Sequence, residues 1–388
     1  MSVFEVPVGP QHPALKEPLH FLFEVEGECV VGVRPRLGYN HRGIEKLAES
    51  KTYIQNALLT ARICGICTYA HTTCYTTTAE ELMGVEAPPR AQYIRVALAE
   101  LERIHSHLLW LGVMMHEIGF DTLFMYCWRD REKVLDIFEL TTGNRVQHAV
   151  NTVGGVRRDL TPSMVEAMKK AVSYVGERVK RYRDIILKEK TVRVRTEGVG
   201  PLKPRDAVAL CAVGPTARAS AVKRDVRVDD PYIAYEEVPV HMVVDDGCDV
   251  LSRILVRCDE MLESVNVILH ALERLPDGPV RVKAPTRAGP GEAVGRVEAP
   301  RGELLYYIRG DGTNKPSRMK VRTPTLANIP ALCKMLEGCY IADIPAIIAC
   351  IDPCIACMDR VTFIRDGESW SWSGEKLRRY GMRWYGIR

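Results

Sequence analysis

Apolar residues recur at threes, fours and sevens (Ile94, Leu98, Leu101, Leu108, Leu111, Met115) after Pro88-Pro89, and predict one long helix to about Gly119. The same reasoning predicts helices over Ile44–Ala61, Arg129–His148, Pro162–Glu189, Pro204–Ala212 and Asp245–Arg274, with shorter ones over Thr325–Leu336 and Asp343–Cys350. Strand patterning is clearest in two places. Phe21 to Arg34 alternates around Gly27-Glu28 as a hairpin, and Gly302–Arg309 reads as a strand. Gly38–Gly43 is turn-like, and Pro276–Gly295 reads as loop with a short strand at Val280–Val282. Asp352-Pro353 breaks the chain after the last helix. The fold class expected is α+β, predominantly α, with small β elements near both ends. No internal repeat or low-complexity segment is visible.

The organisation expected is a β-rich segment with a loop over 1–43, a helical core over 44–275 and a mixed α/β part over 276–360. Residues 361–388 differ from the body. This tail holds six Lys/Arg against three acids and three of the five tryptophans, so it carries most of the net charge of +4. That charge is too small to predict a nucleic-acid partner. The longest unbroken apolar run, Leu108–Met115, is eight residues, whereas a membrane span needs about 20. Met1 to Pro18 lacks the basic start and apolar run of a signal peptide. The thirteen cysteines are therefore expected to be reduced, in a cytosolic chain, as metal ligands, catalytic groups or core residues.

Two cysteine pairs stand out, Cys64-Gly65-Ile66-Cys67 and Cys354-Ile355-Ala356-Cys357. Two intervening residues let a pair of thiolates converge on one ion, and two pairs make a four-thiolate pocket suited to zinc, nickel or an iron–sulfur cluster. Spacing alone leaves four readings open: structural zinc, a redox dithiol, unrelated core cysteines or a catalytic metal centre. Charged flanks (Arg62, His71, Asp352, Arg360) favour the last, because such groups tune a reactive metal. The other nine cysteines show no paired spacing and read as core or incidental residues.

Arg62-Ile63-Cys64-Gly65-Ile66-Cys67-Thr68-Tyr69-Ala70-His71 resembles the first nickel-binding motif of the [NiFe]-hydrogenase large subunit. Asp352-Pro353-Cys354-Ile355-Ala356-Cys357-Met358-Asp359-Arg360 resembles the second. Gly9–Pro13, Tyr39–Glu45 and Gly310–Pro316 are similar to the energy-converting, membrane-associated group and to the quinone-site subunit of complex I. The complex I relatives lack the four cysteines, so their retention points to a hydrogenase. The fold implied is the helical-bundle core of these subunits.

The resemblance implies that Cys64, Cys67, Cys354 and Cys357 bind nickel, with Cys67 and Cys357 also bridging to an iron that carries carbon monoxide and cyanide. Cys354 and Glu17 are then candidate proton acceptors, and Arg301 the arginine held over the metal pair. Thr323, Pro324 and Thr325 match the segment that hydrogen-bonds cyanide, and His71 a residue that bonds a bridging sulfur. Without the resemblance, Glu17 reads as a solvated acid, Arg301 as a turn residue and Thr325 as a helix cap. His41 and Glu117 correspond to a His–acid pair near the complex I quinone pocket, a candidate relay. Glu45 is a candidate ligand for a further divalent ion, magnesium or a second iron, unless it is a salt-bridged helix acid.

Partners implied are a small iron–sulfur subunit, further iron–sulfur and integral-membrane antiporter-like subunits, and a ferredoxin donor. Iron–sulfur clusters would lie only in partner subunits. The location implied is peripheral, on the cytoplasmic side of the membrane. Family precursors often end in an extension that a maturation protease removes. Here the cut would follow Arg360 and release 361–388; a retained strand at Val361–Ile364 with a docking arm is the alternative.

Overall fold

The computed structural model describes residues 3–358, 363–365, 368–370 and 374–386. Strands β1 (Val3–Val8), β2 (His20–Glu26) and β3 (Cys29–Arg36) form an antiparallel sheet in chain order. Two short helices follow, α1 (Ile44–Ala48) and α2 (Tyr53–Thr60), then α3 (Thr68–Met83), α4 (Pro89–Glu117) and α5 (Asp121–Thr142). A two-residue hairpin pair, β4 (Asn151–Thr152) and β5 (Gly155–Val156), leads to α6 (Pro162–Lys188) and α7 (Lys190–Thr196). Helices α8 (Pro204–Ala209), α9 (Gly214–Arg218) and α10 (Val226–Asp229) are short, and α11 (Val250–Glu273) is long. A second antiparallel sheet runs β6 (Gly291–Ala299), β7 (Gly302–Gly310), β8 (Arg318–Arg322), followed by α12 (Pro324–Leu336) and α13 (Ile344–Cys350).

Helices α4, α5, α6 and α11 pack into a bundle. Their ends follow ordinary capping chemistry. Thr161 caps α6 through Met164 N, with Pro162 at the first helical position, and Asp249 caps α11 through Ser252 N. The second sheet packs on α3 and, with α2, encloses a separate apolar cluster that contains all four paired cysteines.

The predominantly helical class with small sheets is as expected; several elements differ. Ile44–Ala61 is two helices, because Thr52 and Gln55 form a capping box that starts a new one. Helix α3 was not expected. It is threonine-rich and buried on nearly every side, so it has no polar face to set a period, and hydroxyls bond back to the preceding turn (Thr78 Oγ1 to Cys74 O, 2.6 Å). Helix α5 starts eight residues earlier than Arg129 and stops at Gly143, whose φ of 81° ends it before His148. β6 occupies part of the expected loop: a Cβ on Gly295 would stand 2.1 Å from Thr78 Oγ1, so this glycine marks close helix–strand packing rather than a turn. Val280–Val282 contributes only an isolated bridge from Arg281 to Gly155. Helices α7, α9 and α10 and strand β8 are further additions.

The tail contains β9 (Phe363–Arg365) paired with β10 (Glu368–Trp370), and α14 (Gly374–Trp384). Arg360, where cleavage was expected, lies outside the described residues, as do 361 and 362 of the expected strand.

The bundle's centre is ionic. Glu100 on α4 accepts from Arg103, Arg227, Tyr235 and Ser264. Arg227 continues to Asp225 (2.7 Å), and Arg218 reaches Glu260 (2.5 Å) and Glu298 (2.8 Å). All these side chains are buried. Buried charges persist only when paired and hydrogen-bonded, as here; breaking one pair costs about 3–5 kcal/mol. Burial would raise Glu100, but the charges of Arg103 and Arg227 overturn this and hold its carboxyl far below the ordinary range. Its stabilisation is therefore complete above the unfolded value of about 4.3 and drains as the pH falls toward the depressed folded value. Glu100→Gln is expected to destabilise by about 3–5 kcal/mol near pH 7. Urea unfolding checks this; the variant's stability should also fall less steeply below pH 5 than the wild type's.

Candidate metal centre

The first cysteine pair lies in the loop between α2 and α3, with Cys67 as the residue that starts α3. The second lies in the turn Ile355–Cys357 just after α13. The fold brings these segments together so that Cys64 Sγ is 3.2 Å from Cys354 Sγ and Cys67 Sγ is 3.8 Å from Cys357 Sγ. Cys354 and Cys357 are 3.0 Å apart. All four sulfurs are buried and none is in a disulfide. Thiolates about 2.3 Å from one ion stand roughly 3.3–3.8 Å from each other. The observed 3.0–3.8 Å separations are close to this, and the donor atoms form two overlapping sets, Cys64–Cys354–Cys357 and Cys67–His71–Cys357, so the sulfurs suit a thiophilic metal.

Four thiols in one dry pocket cannot all ionise unaided. Hydrogen bonding from Cys354, then Cys357 and Cys67, holds Cys64 well below the usual thiol range. Hydrogen bonding to Cys354 pushes both Cys67 and Cys357 up. A cation would supply the missing charge.

His71, on the first turn of α3, places Nε2 3.6 Å from Cys357 Sγ and Nδ1 2.7 Å from Tyr306 Oη. Burial lowers it to about 4, so the imidazole is neutral. With Tyr306 donating to Nδ1, the remaining N–H points to the sulfur. Geometry alone also allows His71 Nε2 to join Cys67 and Cys357 as a ligand.

On the Cys67–Cys357 side the sulfurs face a small cavity lined by Arg301, Pro324, Thr325, Ala299 and Leu304. Thr325 is not the helix cap; Thr323 occupies that position, and its buried hydroxyl has no partner among the described residues. Thr325 Oγ1 instead accepts from Cys354 N (3.2 Å). Arg301 is buried and donates through Nε to Asp352 O and through Nη2 to Asp352 Oδ1, both 2.7 Å, and through Nη1 to Ser106. Asp352 has φ of 56°, unusual for a residue with a side chain, and Arg301 pins it there, one residue before Pro353-Cys354. Gly214 and Gly302 allow this arginine its place: a Cβ on Gly214 would lie 2.5 Å from Arg301 O.

Glu17 is half-buried, not a solvated acid. Its Oε2 accepts from Ala356 N (2.9 Å), inside the second cysteine turn, and burial raises its carboxyl. Glu117 is ion-paired with Lys16, Glu17's neighbour, whereas His41 is exposed. Glu45 is salt-bridged: Lys320 Nζ (2.7 Å) and Val321 N (2.9 Å) donate to its two oxygens. Among the described residues, the groups able to hold a metal are the two sets within the cysteine pocket.

Sequence reading missed Arg42. Its guanidinium donates to Arg62 O (3.0 Å) and Ile63 O (2.7 Å) in the first cysteine segment and to Ala356 O (2.8 Å) in the second. It thereby ties together loops some 290 residues apart. Its targets are backbone carbonyls, which leave no side-chain signal. Glu102 was also missed. It accepts from the Tyr69 and Ala70 amides at the start of α3.

Residues 117–290 and 282–360 match the family described as "Respiratory-chain NADH dehydrogenase, 49 Kd subunit", and residues 42–118 match "Nickel-dependent hydrogenase". The membrane-bound hydrogenase subunit alpha of Pyrococcus furiosus is 39% identical over 94% of this chain and 89% of its own. An NADH-quinone oxidoreductase subunit of Rhizobium meliloti is 38% identical over 91% of this chain and 94% of its own. A solved structure of the membrane-bound sulfane sulfur reductase, an archaeal respiratory membrane complex, superposes with a TM-score of 0.88 at 32% identity, covering 92% of this chain and 98% of that one. The chain belongs to the family shared by the large subunits of energy-converting hydrogenases and the 49 kDa subunit of complex I.

Proposed function

We propose that this chain is the catalytic large subunit of an energy-converting [NiFe] hydrogenase, interconverting hydrogen with protons and electrons. The observation that carries this is the convergence of four unpaired sulfurs beside a cavity walled by Arg301, Pro324 and Thr325. A plain zinc site has no need of that second compartment. The nickel–iron pair would supply the electron-accepting centre at which hydrogen is split. Cys64, Cys67, Cys354 and Cys357 would hold it, Cys67 and Cys357 being the two that line the cavity. Thr323–Thr325 and Arg301 would hydrogen-bond the diatomic ligands on iron.

The protein's own task is then the proton. Cys354 would accept it and pass it to Glu17, whose raised carboxyl sits on the same turn. The Lys16–Glu117 pair beside it extends a polar track toward the end of α4. His71, neutral, would hold its N–H on Cys357. Among the described residues no helix is long and apolar enough to cross a membrane, which supports peripheral attachment through partner subunits. The nine remaining cysteines form no further metal-holding group among the described residues, which supports electron delivery by a partner iron–sulfur subunit. The family resemblance adds a ferredoxin donor on the cytoplasmic side and ion translocation in membrane subunits.

Purified complex is expected to contain nickel and iron at the cysteine site and to show infrared bands of bound carbon monoxide and cyanide. Stoichiometric zinc, or no metal in complex that still turns over, would refute the proposal. Glu17→Gln should slow deuterium–solvent exchange by on the order of 10²-fold, the scale of a lost acid–base group, while metal content stays constant. Arg42→Ala should release nickel faster into a chelator. Arg42→Lys should not restore retention, because a point charge cannot serve three carbonyls as the planar fork does; mass spectrometry of the retained metal reads both.

A further inference from the structure

Behind the first turn of α3 lies an internal cavity of ≈ 10 Å³, about the room one water takes. Glu102, Glu298, Tyr232 and Thr73 are the polar residues of an otherwise apolar wall. Ala70 and Pro300 also line it, while their chain neighbours His71 and Ala299 line the metal-side cavity. The two cavities thus lie against neighbouring residues of the same two segments. On its outer side Glu298 lines a cleft of ≈ 710 Å³ between the α8–α10 segment, β6 and α12, together with Arg224, whose side chain is 76% exposed. Glu298 is the one residue common to the internal cavity and the cleft.

We propose that Glu102, a water in this cavity and Glu298 form a second proton relay, joining the back wall of the metal pocket to the cleft. The two cysteine segments then each carry one carboxyl on their backbone amides: Glu17 on Ala356, and Glu102 on Tyr69 and Ala70. In one outward step the Glu298 acid gives its proton to cleft water. The resulting carboxylate takes a proton from the cavity water, which regains one from Glu102; one proton has then passed from Glu102 to the cleft, Glu102 is left as the carboxylate, and the reverse sequence from cleft water restores it. No electron moves and no covalent bond of the chain other than O–H changes.

The charges around Glu298 suit this. Arg218 Nη1 (2.8 Å) and Val226 N (3.3 Å) donate to its oxygens, and Arg103, Arg227 and Asp225 stand in the same lattice. Burial raises it to about 7 against Arg218, with Asp225 adding to the rise. Its lattice neighbours Glu100, Asp225 and Glu260 are instead held low by arginines. Around Glu102, burial also raises the carboxyl, against His148 at 3.5 Å and the two amides.

The relay takes its purpose from the hydrogenase reading, but its proton exchange can be tested apart from it. Infrared difference spectra of the intact complex between pH 5.5 and 8.5 are expected to show a protonated-carboxyl band that titrates. The band should vanish in Glu298→Gln, return in Glu298→Asp and shift in Glu102→Gln. A band unchanged in Glu298→Gln, or no titrating band in wild type, overturns the relay whatever the metal content. With hydrogen as probe and the first route closed by Glu17→Gln, adding Glu298→Gln should slow the remaining deuterium–solvent exchange by a further factor on the order of 10² and leave para-to-ortho hydrogen conversion unchanged. Equal loss of both would make Glu298 a structural residue and overturn the relay. Absence of both in wild type would sink the hydrogenase reading alone, the infrared result still deciding the relay.

Discussion

Four buried sulfurs from two chain segments about 290 residues apart must meet, with Cys64–Cys354, Cys67–Cys357 and Cys354–Cys357 each 3.0–3.8 Å apart. Closing so long a loop costs entropy, and the thiols repel one another's ionised forms, so the meeting cannot be left to the cysteines. The protein holds it from three directions with charged side chains. Arg42 bridges the backbones of both segments; Arg301 pins Asp352 at the entry to the second; Glu17 fixes the turn inside it. Each contact is to backbone or to a buried partner, which fixes position more firmly than a surface ion pair would.

The same logic explains the ionic centre of the bundle. A hydrophobic bundle would be as stable or more so, because buried ion pairs barely recover their desolvation cost. What the lattice adds is register. Arg103 on α4 donates to the carbonyls of Glu298 and Ala299, and Arg218 on α9 reaches Glu298 on β6 and Glu260 on α11. Shifting β6 by one residue would break every one of these bonds that reaches it, leaving only Arg218 to Glu260. Since β6 leads directly into Arg301, the lattice transmits the bundle's rigidity to the metal pocket.

The residues that carry the centre differ in how legible they are. The cysteine pairs are readable from spacing, because metal ligation requires a fixed short interval. Glu17, Arg301 and Thr325 are readable only through family resemblance: single residues far apart in the chain have no local signature. Arg42 and Glu102 leave none at all, since both act on backbone groups. Much of the lattice reads as ordinary helix polarity, since Glu and Arg are usually exposed and helical periodicity marks only apolar stripes. Helix α3 is invisible for the opposite reason, a buried face all round. The long amphipathic helices are clear because each presents one apolar side to the bundle, and their predicted ends err mainly where a glycine or cap overrides the pattern.

The buried carboxyls fall into two classes, by how far paired charge offsets burial. Glu100, Asp225 and Glu260 are surrounded by guanidinium groups and held low, so they stay ionised and hold structure. Glu17, Glu102, Glu298 and Asp352 are raised, because burial outweighs their partners, the arginines paired with Glu298 and Asp352 included. A carboxyl of the second kind still holds its hydrogen-bond partners, and it takes up a proton more readily than one held low. Glu17 and Glu102 sit on the backbones of the two cysteine segments, and Glu298 lies between a one-water cavity and the cleft. A buried thiol pocket whose charge changes must exchange protons with water, and acids of this kind beside both cysteine segments suit that exchange.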